Sequence, residues 1–98
     1  MIFVISGSQI KNISLLNDEP VALSNRGSNL EFFRFKSFKL KDGREIENNL
    51  LIINGDSTID GDIDLPNWDI AATGNITIKG KVNCRNPNMK LSGTLIAN

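Results

Sequence analysis

Apolar and polar residues alternate in the second half of the chain, and the alternation recurs every 19 residues. Residues 55–73 read GDSTIDGDIDLPNWDIAAT, residues 74–92 read GNITIKGKVNCRNPNMKLS, and residues 93–98 read GTLIAN. Successive side chains of a strand point to opposite faces, so a period of two predicts half-buried strands. The predicted buried face carries Ile59, Ile63 and Leu65, which align with Ile78, Val82 and Cys84.

The repeat also predicts how the strands stack. A repeat of about 20 residues with short strands closed by Gly, Asn or Pro is typical of a β-solenoid, whose repeats are stacked coils. We therefore expect an all-β fold, a small parallel β-solenoid or β-helix with repeat coils over residues 36–98. In this register Leu40 aligns with Ile59, Ile46 with Leu65, and Asn48 with Asn67. An antiparallel β-sandwich or meander is the alternative, since regularly spaced strands occur there too.

The first 35 residues follow the repeat poorly. Residues 1–6 predict an apolar strand and residues 23–29 (LSNRGSN) a loop. Residues 31–40 (EFFRFKSFKL) hold four of the five Phe residues, which we expect to pack in a core. Residues 1–35 are therefore either degraded coils or an irregular N-terminal cap. The 98 residues suit one domain.

Composition offers no catalytic, cofactor or metal site. The chain has no His, which removes Ser-His and Cys-His nucleophile pairs. Residues 56–67 partly match a calcium loop, but Thr58 and Asn67 stand where carboxylates are needed. Cys84 shares a column with Leu65 and is expected to be a buried, inert thiol. We accordingly expect a protein that is not an enzyme.

Charge and cysteine content bear on partners and location. The 11 basic and 11 acidic residues cancel, and this disfavours a nucleic-acid partner. No stretch is apolar enough to span a membrane, and residues 1–5 lack the pattern of a secretory signal. A single cysteine suits a reducing compartment. We expect a cytoplasmic protein without a membrane partner.

The charges are nevertheless segregated along the repeat. Stacked coils would place Lys41 over Asp60 over Lys79, and Asp62 over Lys81. Opposite charges across neighbouring strands stabilise a sheet by about 0.2–1 kcal/mol each. Alternatively, this polar face could recognise a partner's charges.

Two sets of residues are candidates for protein binding. The first set combines the charged face with Trp68, a corner residue that would anchor a partner if its side chain were exposed. The members of this set are Trp68, Asp60, Asp62, Asp64, Lys79 and Lys81. The second comprises apolar residues at the two chain ends, which the sequence leaves without a cap, and predicts self-association into a homodimer or other homo-oligomer; its members are Ile2, Val4, Leu95 and Ile96.

The segment IDGDIDLPNWDIAATGNITIKGKV (59–82) resembles the bactofilins, and the likeness extends over roughly residues 55–98. Bactofilins are bacterial scaffold proteins with a β-solenoid core of Gly-punctuated Ile/Val repeats. The resemblance implies end-to-end polymerisation without nucleotide and without enzymatic activity.

Three functions are compatible with this sequence. The first is a non-enzymatic interaction module that docks on a larger protein or protein complex. A phage or mobile-element inhibitor of a host defence complex, such as an anti-CRISPR, is one such module, an expectation that rests on chain size and not on any residue. The second is a bactofilin-like polymer-forming scaffold. The third is a small carbohydrate-active or ligand-binding solenoid.

Overall fold

A computed structural model describes residues 1–6, 9–90 and 93–97, which form strands and turns without a helix. The strands are β1 (Ile2–Ser6), β2 (Gln9–Leu16), β3 (Glu19–Ser24), β4 (Phe33–Leu40), β5 (Glu45–Ile46), β6 (Leu50–Asn54), β7 (Ser57–Ile59), β8 (Ile63–Ala72), β9 (Ile76–Ile78), β10 (Val82–Lys90) and β11 (Gly93–Ala97). The prediction of an all-β fold is confirmed. Over the described residues, no helix is long and apolar enough to cross a membrane.

One curled, mixed sheet joins the 11 strands. Its main order is β11-β4-β1-β6-β8-β2-β7-β9, with β10 paired to β8, β3 to β2 and β5 to β4. Parallel pairing joins the strands of the repeat, whereas β3, β4, β5 and β11 are attached by antiparallel pairing. The parallel pairs are those expected of a β-solenoid, and the antiparallel pairs are those expected of a β-sandwich or meander.

The parallel strands lie in three layers. The first layer is β1 and β2, the second is β6, β7 and the first half of β8, and the third is the second half of β8, β9 and the start of β10. Between the second and third layers the register follows the sequence repeat, because Ile59 lies opposite Ile78 and Ile63 opposite Val82. Equivalent apolar residues therefore stack directly on one another.

The first layer comes from a part of the chain that the repeat did not predict. Ile2 lies opposite Leu50, and Ile10 opposite Ile59. The N-terminal strands β1 and β2 thus form the layer next to β6 and β7. Residues 17–48 leave the layers and return.

That excursion corrects the predicted start of the repeat at residue 36. Leu40 lies opposite Gly93 and Ile46 opposite Phe38, both in antiparallel pairs. The alignments of Leu40 with Ile59 and of Ile46 with Leu65 are therefore wrong. The reason is topological: β4 pairs antiparallel with β1 and covers the outer side of β1, where the predicted repeat required a parallel strand.

Asn residues and close backbone approach shape the corners between strands. Asn67 bends β8 with a φ of 69°, in the left-handed region that Asn tolerates. In the preceding layer the left-handed corner is Asn49, at 53°, one position from the Asn48 expected from the repeat. At Gly61 a Cβ would lie 2.5 Å from the Lys11 carbonyl oxygen, so a side chain there would push the layers apart.

The central strands β1 and β6 are buried on both faces, which explains their unbroken apolar runs IFVI and LLII. One face packs against β2, β7 and the first half of β8. That first core contains Phe3, Ile5, Ile10, Ile13, Ala22, Leu51, Ile53, Ile59, Ile63, Leu65, Trp68 and Ile70. The second core, on the opposite face, contains Ile2, Val4, Phe38, Leu50, Ile52 and Ala71.

The Phe-rich stretch divides between core and surface. Phe38 is buried, and Phe32 and Phe35 pack partly against the two cores. Phe33 is 58% exposed, so its expected place in a core is wrong. Between Phe33 and Phe35 the chain turns Arg34 to the other face, where its guanidinium lies 5.2 Å from the centre of the Phe3 ring.

Candidate protein-binding edge

The outer side of the first layer is covered. Strand β4 pairs with β1, and β3 pairs with β2 along most of its length. Ile2 and Val4 are 0% and 7% exposed. The expectation that these two residues form a bare end is wrong, because antiparallel strands cap them.

The C-terminal self-association residues lie on β11, where Leu95 is opposite Phe38 and Ile96 opposite Ser37. Their strand is therefore attached to β4. Their side chains lie outside what the structure describes.

The outer side of the third layer is open along β9 and the start of β10, whereas residues 86–90 of β10 pair with the second half of β8. Strand β9 pairs with β7, and residues 82–84 of β10 pair with β8. Among residues 1–6, 9–90 and 93–97, no further strand pairs with either segment. We call β9 together with residues 82–84 the open edge.

Burial changes sharply from the second layer to the open edge. Ile63 is 1% exposed, whereas Val82, its partner in the next layer, is 41% exposed. Ile59 is fully buried, whereas Ile78 is only partly buried. The apolar columns that the first two layers bury thus end at solvent.

Backbone groups of the open edge also point outward. In a parallel ladder, alternate residues bond to opposite neighbours. The Ser57 N–H donates to the Asn75 carbonyl at 3.0 Å, and the Lys79 N–H donates to the Ile59 carbonyl at 2.9 Å. The N–H and C=O of Ile76 and Ile78, which alternate with those residues, are therefore directed away from β7.

The same alternation holds on β10. The Ile63 N–H donates to the Lys81 carbonyl at 2.9 Å, so Lys81 bonds inward. Val82 and Cys84 then direct their backbone groups outward. A strand placed along the open edge would meet a ready row of donors and acceptors.

The three aspartates predicted to bind a partner instead join the second layer to the third. Asp60 pairs with the Lys79 ammonium at 3.2 Å. Asp62 accepts from the Lys81 N–H at 2.8 Å, and Asp64 accepts from the Asn83 side chain at 2.9 Å. Each carboxylate is engaged within the fold.

Lys11, and not Lys41, stands above Asp60. Ile10 lies opposite Ile59, so the next residues, Lys11 and Asp60, share a position in neighbouring layers. Lys41 follows β4 in a turn, and the predicted column through it is wrong. The Asn25 side-chain amide and the Lys79 ammonium hold the pKa of Asp60 below its ordinary value of 3.8.

A second ion pair joins β8 to β10 near the corner. Both carboxylate oxygens of Asp69 accept from Arg85, at 2.8 and 3.0 Å. These hydrogen bonds raise the pKa of Arg85. Lys81 differs from Lys79 and Arg85, because its ammonium forms no ion pair with a described carboxylate.

An open groove of about 460 Å³ runs between β2 and the start of β8. Asp60, Asp62 and Asp64 line one wall, and Lys11 and Ser14 line the other. Over the described part of the chain, no three His, Cys, Asp or Glu side chains are grouped as metal ligands.

Trp68 does not form a surface anchor. It is 4% exposed and packs edge-on against Phe3, with ring centres 5.5 Å apart at 87°. The hypothesis of an exposed hot spot is therefore wrong. The left-handed turn at Asn67 directs the indole into the first core.

Cys84 packs partly against the same core. Burial, followed by the nearby charge of Asp69, raises the pKa of its thiol. The reactive thiolate is therefore disfavoured at neutral pH.

Sequence analysis did not identify Val82 as a candidate site residue, because its column predicts burial. No signal in the repeat marks its exposure, since Val82 aligns with buried Ile63. No protein-family model, curated protein or solved structure matches this chain.

Proposed function

We propose that the three layers are a short β-solenoid and that the chain is a non-enzymatic protein-binding module, which captures a strand of another protein at its open edge. The observation that carries this proposal is the end of the buried columns at exposed Val82 and partly buried Ile78. Adding a strand to an unpaired edge supplies backbone hydrogen bonds for affinity and side-chain pockets for specificity.

The difference between the two sides of the stack supports a discrete complex. An open polymer needs two complementary surfaces that repeat without closing. Here β3 and β4 cover the first layer, so among the described strands parallel stacking remains possible on one side, along the open edge. A larger protein partner suits this geometry better than the end-to-end polymer implied by the bactofilin resemblance. An inhibitor of a host defence complex is one form of such a module.

A catalytic role has less support. Glycoside hydrolysis uses two carboxyl groups free to exchange protons or attack the sugar. Asp60, Asp62 and Asp64 line the groove, yet each is already bonded to the third layer.

The test uses a matched pair of variants at Val82. Val82→Pro removes an outward N–H while the inward bonds of Lys81 and Asn83 remain, and Pro is tolerated at such edge positions. Val82→Thr keeps both the N–H and the β-branched shape. Each tagged protein is used to capture partners from the source cell. We expect one partner protein to be captured by wild type and by Val82→Thr, and not by Val82→Pro.

Light scattering on a sizing column supplies the control for polymerisation. We expect the molar mass of the protein to stay fixed across a hundredfold range of protein concentration. A mass that grows with concentration, together with a partner list unchanged by Val82→Pro, would support the bactofilin-like scaffold in its place.

A further inference from the structure

The charge of the polar columns alternates from layer to layer. Lys11 in the first layer, Asp60 in the second and Lys79 in the third share one position. In the neighbouring column Asp62 is followed by Lys81. Both columns therefore end at the open edge on a basic residue.

The contacts between the second and third layers show what fits against such a basic layer. Residues 50–67 of the second layer carry four acidic and no basic side chains, and residues 76–84 along the open edge carry two basic and no acidic ones. The acidic layer reaches the basic one through ammonium, amide and N–H donors, in contacts of 2.8–3.2 Å. A strand with carboxylates at alternate positions is thus already shown to be complementary.

A second copy of this chain is a poorer occupant of the open edge. Its own outermost layer is the same basic layer, so an edge-to-edge dimer would bring Lys79 and Lys81 of one copy towards those of the other. Like charges across neighbouring strands destabilise a sheet. The carboxylates of a second copy lie one layer farther away, about 4.8 Å.

Lys81 is the residue best placed to recognise a partner's charge. Lys79 and Arg85 are paired with Asp60 and Asp69, whereas the Lys81 ammonium has no carboxylate partner among the described residues. Lys81 immediately precedes Val82, whose N–H points outward. Charge recognition and strand addition therefore fall at the same point.

From these observations we infer that the open edge binds an extended, acidic segment of a partner protein, with Asp or Glu at alternate positions and apolar or Gly residues between them. This inference rests on the proposed strand capture and adds the chemistry of the captured strand. The segment forms the next strand along β9 and residues 82–84, with a carboxylate near Lys81.

The probe is a synthetic peptide that copies the chain's own acidic layer, GDSTIDGDIDLP, labelled with a fluorophore. A matched peptide carries Asn at all four Asp positions and a third carries Lys. Fluorescence anisotropy with the full chain measures binding at 20 and 200 mM salt. We expect the acidic peptide to bind about twofold to thirtyfold more tightly than the neutral one, from two cross-strand charge pairs, and its affinity to fall as salt rises.

Substitutions at two positions, Lys81 and Val82, test the site without relying on a single change that could unfold the chain. Lys81→Glu should weaken the acidic peptide and strengthen the Lys peptide, while Val82→Pro should abolish binding of both and Val82→Thr should not. The fluorescence of Trp68 and the urea midpoint verify that each variant is folded.

The peptide experiments separate the acidic chemistry of the partner from strand capture itself. Equal binding of acidic and neutral peptides, unaffected by Lys81→Glu but lost in Val82→Pro, would overturn the acidic chemistry and leave strand capture standing. No binding at millimolar peptide would also overturn the inference, and the capture experiment above would then judge the proposed function alone. A stable dimer that Val82→Pro converts to monomer would assign the edge to a second copy.

Discussion

The contrast between Ile63 and Val82 gives the sharpest prediction for stability. The two residues occupy the same column in adjacent layers, but they are 1% and 41% exposed. Ile63→Ala should lower the free energy of unfolding by about 2–5 kcal/mol, the usual range for such a truncation in a packed core. Val82→Ala removes two methyl groups worth about 0.8 kcal/mol each when fully buried, and partial exposure reduces the loss to about 1 kcal/mol.

Urea unfolding followed by Trp68 fluorescence measures both losses, since Trp68 is the chain's one Trp and lies in the first core. With a slope of roughly 1–2 kcal/mol per molar urea, Ile63→Ala should lower the midpoint by at least about 1 M. Ile63→Val, expected to cost about 0.5–1.5 kcal/mol, replaces it if the alanine variant does not fold. Equal losses for Ile63→Ala and Val82→Ala would refute the open edge, because they would require Val82 to be as buried as Ile63.

Two further predictions concern contacts between layers. Gly61→Ala would place a Cβ 2.5 Å from the Lys11 carbonyl oxygen, so we expect a loss of about 1–3 kcal/mol, and an unchanged thermal midpoint by circular dichroism would disprove the close approach. The pKa of Asp60 is lowered in the folded state, so its contribution is fully present above 3.8 and is lost as pH falls through the lower folded value. The stability advantage of wild type over Asp60→Asn should therefore be constant from pH 8 to 5 and shrink below pH 4, and an advantage that grows on acidification would contradict the assignment.

The candidate site could be read from the sequence only in part. The columns that unite Asp60 with Lys79 and Ile63 with Val82 follow directly from the 19-residue repeat. What the repeat could not reveal is which layer is the last, because a column of equivalent residues looks the same whether it is covered or not. The repeat therefore predicts a core residue at Val82, and the sequence predicts bare ends at Ile2, Val4, Leu95 and Ile96.

The direction of the Trp68 side chain could not be predicted from the alignment of the repeats. Its sequence neighbours are polar and lie at a corner, which allows either an inward or an outward side chain. The choice depends on the φ of Asn67 and on the space beside Phe3, which lies in a distant part of the chain.

The strands of the repeat and the register between the second and third layers could be predicted from the sequence, because both depend on local alternation and on a repeat of short period. The placement of β1 and β2 in the first layer, and of β3 and β4 as its cap, became visible only in the folded chain. These pairings join residues far apart in sequence, and an apolar strand such as IFVI carries no mark of its neighbour. Which strands gather on each side of the stack, and hence which edge is left open, is settled by how the whole chain buries its apolar faces.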